Sequence, residues 1–106
     1  MTMQHIADIL EFDLEDVEML VDMFLTDANA SLENIEHIID SNDFEQIKNI
    51  AHGIKGSASN LMLEEIREVA LEIEDLAKSQ TSANYNALFQ KLQLELKTIE
   101  AIKVEA

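Results

Sequence analysis

Proline is absent from this 106-residue chain, and glycine occurs only twice, at Gly53 and Gly56. Tight turns and hairpins draw heavily on those two residue types. A chain without them is poorly suited to a sheet and well suited to long helices joined by short polar connections. The two glycines do not mark a turn either. They interrupt an apolar stripe, Phe44, Ile47, Ala51, Ile54, Ala58 and Leu61, that steps by three and four as one face of a helix does.

The same spacing organises the rest. Residues 4–11 form a short amphipathic segment with Ile6, Ile9 and Leu10, ending at a break over Glu11-Phe12-Asp13. A long helix is predicted from Leu14 to Ile39, with Val17, Val21, Phe24, Ala28, Ile35 and Ile38 inward and Ser31/Leu32 filling the gap. Asp40-Ser41-Asn42 ends it, and Asn42 with Glu45 reads as a capping box for the next helix, which closes near Leu61. Glu64 to Lys78 is a further helix, with Ile66, Val69, Ala70, Ile73 and Leu76 inward. After a loop at residues 79–82, with Thr81 or Ser82 as N-cap, the last helix runs from Ala83 to Lys103 on Tyr85, Leu88, Phe89, Leu92, Leu96, Ile99 and Ile102. The expected architecture is all-α: one domain over residues 1–106, an antiparallel four-helix bundle with a short additional N-terminal helix.

Charge restricts the partners. The net charge is -15, which argues against nucleic acid and anionic lipid as ligands. No cysteine is present for a disulfide or thiol site. No apolar run approaches the length of a membrane span, and the N-terminus lacks a secretory pattern. A cytoplasmic location is the resulting expectation, and Met1 with short tails favours a stand-alone protein.

The carboxylates are unevenly placed. Residues 1–45 hold 13 with no lysine or arginine, residues 64–106 hold 9, and Gln46 to Leu63 holds none. That cleared window contains Lys48, Lys55 and His52. At about 100° per residue, His52 falls roughly 130° from the centre of the apolar stripe and faces solvent. Lys55 and Gly56 follow three and four positions on, as neighbours on the same outer face. Each mid-helix glycine costs about 1 kcal/mol relative to alanine, so two within a turn of an exposed histidine suggest that bare backbone is wanted there for close approach of another molecule. Alternatively, the glycine pair serves tight helix packing and His52 is an ordinary surface residue. Elsewhere, Glu33 and His37 stand four apart, but two ligands make a weak metal site, and none is expected. His5 carries no signal.

The stretch His52-Gly53-Ile54-Lys55-Gly56-Ser57-Ala58-Ser59-Asn60-Leu61 resembles the signature of histidine-containing phosphotransfer (HPt) domains, most specifically in its His-x-x-Lys-Gly core. The resemblance extends to Met23-Phe24-Leu25 and to Glu74. One departure is Met62, where the family usually has glycine after the leucine. Hairpin arithmetic also reaches Glu74: with a turn centred near Leu63, His52 and Glu74 lie eleven residues to either side, level on adjacent antiparallel helices. The resemblance implies that the residue at this position hydrogen-bonds the active histidine.

The side chains suit the implied chemistry. Neutral imidazole is a good nucleophile towards an activated phosphoryl group. A carboxylate holding Nδ1–H would leave the Nε2 lone pair outward, and Lys55 would supply positive charge. Gly53, Gly56, Ser59 and Lys48 are the expected binding residues around this set. No glycine-rich phosphate loop is present, so the chain is not expected to be an enzyme that draws phosphate from ATP. The resemblance implies a phosphorelay intermediate. It would accept a phosphoryl group on His52 from a response-regulator receiver aspartate and pass it to another, with a hybrid sensor kinase upstream. It would be a monomer with no cofactor of its own, magnesium sitting on the receiver. The alternative is a helical adaptor that binds a partner through the His52 face without phosphorylation.

Overall fold

Six helices and no strand are present among the residues described by the computed structural model, residues 2–105, with side chains described as far as residue 102. They are α1 (Met3–Leu10), α2 (Leu14–Ser31), α3 (Ile35–Asp40), α4 (Phe44–Asn60), α5 (Glu64–Lys78) and α6 (Tyr85–Glu105). α4 and α5 make the most extensive pairing, α5 packs on α6, and α2 touches both α4 and α6, which closes a ring of four helices. α1 packs on α2 as the expected addition.

The inward stripes meet in one core. Val17, Val21, Ile47, Ala51, Ala58, Ala70, Ile73 and Leu92 are almost wholly removed from water, and a buried Val, Leu or Ile of this kind stabilises by about 1.5–3 kcal/mol. Most expected core positions are buried. Leu76, Leu88 and Ile102 are only half-buried, and Ala77 takes an inward place on α5. On α1 the packed residues are Met3, Ile6 and Ala7, while Ile9 lies 46 % exposed. Ile6 is buried and Leu10 packs against the core from a partly buried position, so of the expected trio only Ile9 lies off the packed face.

The long helix expected from Leu14 to Ile39 is two helices. Leu32, Glu33 and Asn34 form a turn between α2 and α3. Leu32 stays buried, so the apolar stripe runs across the break without recording it. Glu33 lies in this turn and His37 in α3, so the two do not share a helix face at the spacing a metal pair would need.

Helix ends follow a common device. Glu11, Asn42, Met62 and Gln80 have φ of 58°, 53°, 58° and 55°. The residue after each donates its N–H five positions back: Phe12 to Ala7, Asp43 to Ile38, Leu63 to Ala58 and Thr81 to Leu76. These are Schellman closures with a non-glycine residue in the left-handed position. Met62, at the family's glycine position, adopts the backbone a glycine would. Because Asn42 is occupied in ending α3, the N-cap of α4 moves one residue on, to Asp43. Asp43 Oδ1 accepts from Gln46 N at 3.2 Å, and Gln46 Nε2 donates back to Asp43 Oδ2 at 2.7 Å. The start of α6 also shifts. Asn84, not Thr81 or Ser82, accepts from Ala87 N at 3.1 Å, while the Thr81 carbonyl takes the Tyr85 hydroxyl at 2.6 Å.

Candidate functional site

α4 presents Ala51, Ile54 and Ala58 to the core and therefore turns His52, Gly53, Gly56 and Ser59 outward. The Leu61–Leu63 turn folds α5 back against it. His52 and Glu74 then meet across the hairpin, as the equal spacing from Leu63 predicts: His52 Nδ1 is hydrogen-bonded to Glu74 Oε2. Lys55 Nζ donates to the other carboxylate oxygen, Oε1, at 2.5 Å. One carboxylate thus holds both the imidazole and the ammonium.

Exposure differs sharply among the three. The His52 side chain is 69 % exposed, Lys55 25 % and Glu74 12 %. The Lys55 hydrogen bond holds the Glu74 carboxyl below its ordinary range; burial works the other way, and the hydrogen bond from His52 adds to the lowering. An ionised carboxylate can only accept, so Nδ1 carries the shared proton, and in the neutral imidazole that leaves the Nε2 lone pair facing away from Glu74. The arrangement offers a nucleophilic nitrogen to solvent, of fixed tautomer and with a cation beside it.

The surroundings are open. A Cβ added at Gly53 or at Gly56 would meet nothing within 4 Å. Helix packing therefore does not require either glycine; they keep the surface beside the imidazole low. Ser59 is exposed with its hydroxyl turned onto the Lys55 carbonyl at 2.9 Å. Lys48, four residues before His52, pairs with Glu45 at 3.2 Å. His5 and His37 are exposed on α1 and α3, outside this constellation.

Two features escaped the sequence reading. Lys78 lines the groove of about 460 Å³ that runs between α4 and α5 past His52; its place opposite Lys48 follows from the same hairpin arithmetic that gives Glu74. An apolar corner also adjoins the glycine face. Phe12, Met19 and Met23 are 50 %, 56 % and 57 % exposed, and Phe12, Leu20 and Met23 line a hollow with Ser57 and Asn60 of α4. The signal was present as large apolar residues standing off the inward stripe of α2.

Among the described residues, no helix is long and apolar enough to cross a membrane. The family model described as Hpt domain matches residues 19–102. The crystal structure of histidine-containing phosphotransfer protein B (HptB) from Pseudomonas aeruginosa PAO1 superposes with a TM-score of 0.80 at 18 % identity, over 97 % of this chain and 87 % of that one. No curated protein matches the sequence.

Proposed function

This chain belongs to the Hpt domain family, whose work is histidine phosphotransfer in phosphorelays, and from that premise we propose that His52 is the residue that carries the phosphoryl group. The observation that bears most weight is the exposed imidazole held at Nδ1 by Glu74 on a face kept low by Gly53 and Gly56.

In the proposed step, the Nε2 lone pair attacks the phosphorus of a receiver's aspartyl phosphate. The Nε2–P bond forms, the bond from phosphorus to the carboxylate oxygen breaks, and the aspartate leaves as carboxylate. Glu74 keeps the Nδ1 proton and stabilises the charge that develops on the ring. The reverse sequence, with the aspartate of a second receiver as nucleophile, discharges His52. Lys55 lies close enough to compensate the phosphoryl charge. We assign no cofactor to this chain and place the magnesium ion on the receiver. We also assign it no kinase activity of its own, so a sensor kinase must load the relay upstream, and the chain acts as a monomer in the cytoplasm.

The receiver's loops must press on α4 for its aspartate to reach Nε2. The glycines admit that approach, and the corner formed by Phe12, Met19 and Met23 supplies apolar contact beside it. A purely adaptor role would leave the Glu74–His52 tautomer lock without purpose. The test is to mix the protein with a panel of pre-phosphorylated receiver domains and follow the label. Transfer is expected to the wild type and to His5→Gln and His37→Gln variants, and to be abolished in His52→Gln. Full labelling of His52→Gln would refute the assignment.

A further inference from the structure

Resting on His52 as phosphoryl acceptor, we propose that Met19 and Met23 are a sulfoxidation site, through which a peroxide blocks receiver docking while leaving the chemistry of His52 intact. The chain places its sulfur unevenly. It has five methionines and no cysteine, so no thiol of its own competes for an oxidant. Met3 is buried in the core at 1 % exposure, whereas Met19, Met23 and Met62 stand 56 %, 57 % and 42 % exposed. Met19 and Met23 are four residues apart on α2 and share one outward face. That face leads to the site. Met23 lines one hollow and Gly53 lines the next, and the two hollows share Phe24, Asp27 and Ser57. The surface is therefore continuous from Met23 to the residue that follows His52.

Exposure and position together give these sulfurs their effect. A thioether is apolar and adaptable, which suits it to a docking surface. Its sulfur attacks one oxygen of hydrogen peroxide: the S–O bond forms, the O–O bond breaks, and the leaving hydroxide takes the proton of the new S–OH group to become water. Sulfur gives up two electrons, which reduce the peroxide. The product is a sulfoxide, a polar hydrogen-bond acceptor. At positions this exposed its oxygen is hydrated, so the fold bears no cost. Under a docked receiver the same oxygen loses its water without gaining a partner. Met3, whose oxidation would disturb the core, is shielded by burial. The change is reversible, because methionine sulfoxide reductases, with a dithiol as reductant, return the thioether and release water.

For the test, the full chain is treated with hydrogen peroxide, catalase removes the excess, and peptide mass mapping locates the added oxygen. Among the described methionines, sulfoxide is expected at Met19, Met23 and Met62 and not at Met3, with the melting temperature unchanged. Pre-phosphorylated receiver is added only afterwards. The receiver concentration for half-maximal transfer to the oxidised protein should rise about tenfold, the effect of covering unpaired polar oxygens. Methionine sulfoxide reductases of both stereospecificities, with dithiothreitol, should restore it. The double variant Met19→Leu, Met23→Leu is compared with its own untreated sample and should lose nothing on oxidation. Potassium phosphoramidate, a donor too small to use the corner, forms the second arm: Nε2 attacks its phosphorus, the donor's N–P bond breaks, and ammonia leaves. It should label oxidised and untreated wild type at the same rate. Sulfoxide absent from Met19 and Met23, undiminished receiver transfer once both are oxidised, or a matching loss in the double variant overturns the sulfoxidation proposal and leaves phosphotransfer standing. So does a lowered melting temperature, or slower labelling by phosphoramidate, which would put the damage in the fold or at the imidazole. If neither donor labels His52 in untreated protein, the phosphotransfer reading fails and this proposal with it.

Discussion

Glu74 is the residue on which the site turns. It accepts from His52 and from Lys55 while remaining largely out of water. Its carboxyl is held below the ordinary range of a glutamate, through the Lys55 hydrogen bond first and with burial opposing. A depressed folded value means that the ionised form stabilises the native state. That contribution is full above about pH 4.5 and is lost as the pH falls through the folded value. Glu74→Gln keeps an oxygen for Nδ1 but gives up the charge, so the wild type should be the more stable at pH 7, and the two urea midpoints should converge below pH 4. Parallel curves down to the lowest pH would show that the carboxylate charge is not coupled to folding. Glu74 was readable before the structure because an antiparallel hairpin makes level positions calculable from its turn. Lys78 obeyed the same arithmetic, but a lysine in the last turn of a helix is also what the helix dipole favours, so nothing singled it out.

At the level of helices, glycine and its absence are placed against local preference. Gly56 occupies the middle of α4, where a straight-chain residue would favour the helix by up to about 1 kcal/mol. Met62 occupies a left-handed position with φ of 58°, where a side chain costs about 1 kcal/mol. The two substitutions Gly56→Gln and Met62→Gly should therefore both raise the melting temperature, since the space at Gly56 is open and Met62 is 42 % exposed. Only Gly56→Gln should impair transfer, by standing in the way of the receiver. A lowered melting temperature for Gly56→Gln would mean that the position is needed for folding; undiminished transfer would mean that the face is not the docking face. The sequence gives good access to the inward stripes because burial has a period. It gives poor access to helix ends, which depend on single residues. The α2–α3 turn is unmarked by glycine or proline; only the run of Asn29, Ser31 and Asn34, weak helix formers, hints at it. Asn42 looked like a cap for α4 because asparagine suits both an N-cap and a left-handed closing position; here it takes the second.

Over the whole molecule, the balance of charge decides how the fold responds to its solvent. The bundle measures 42 × 21 × 17 Å, so its cross-section is only about two screening lengths at 0.1 M salt. Carboxylates on different helices therefore feel one another in dilute buffer. The opposing attractions are few. Besides the His52–Glu74 contact, the ion pairs among the described residues are Lys48–Glu45, Lys55–Glu74 and Arg67–Glu64, and the first and last are exposed enough to contribute less than about 1 kcal/mol each. Screening thus weakens a net charge of -15 far more than it weakens the pairs. Raising sodium chloride from about 20 mM to 500 mM should stabilise the protein, and 1 kcal/mol would appear as roughly 4–8 °C in a chain of this size. Transfer should respond differently, because in the proposed step Lys55 acts on the phosphoryl group at short range, where salt screens less. A melting temperature that fell with salt would assign the fold's stability to its ion pairs and overturn the view that self-repulsion is what this acidic bundle has to withstand.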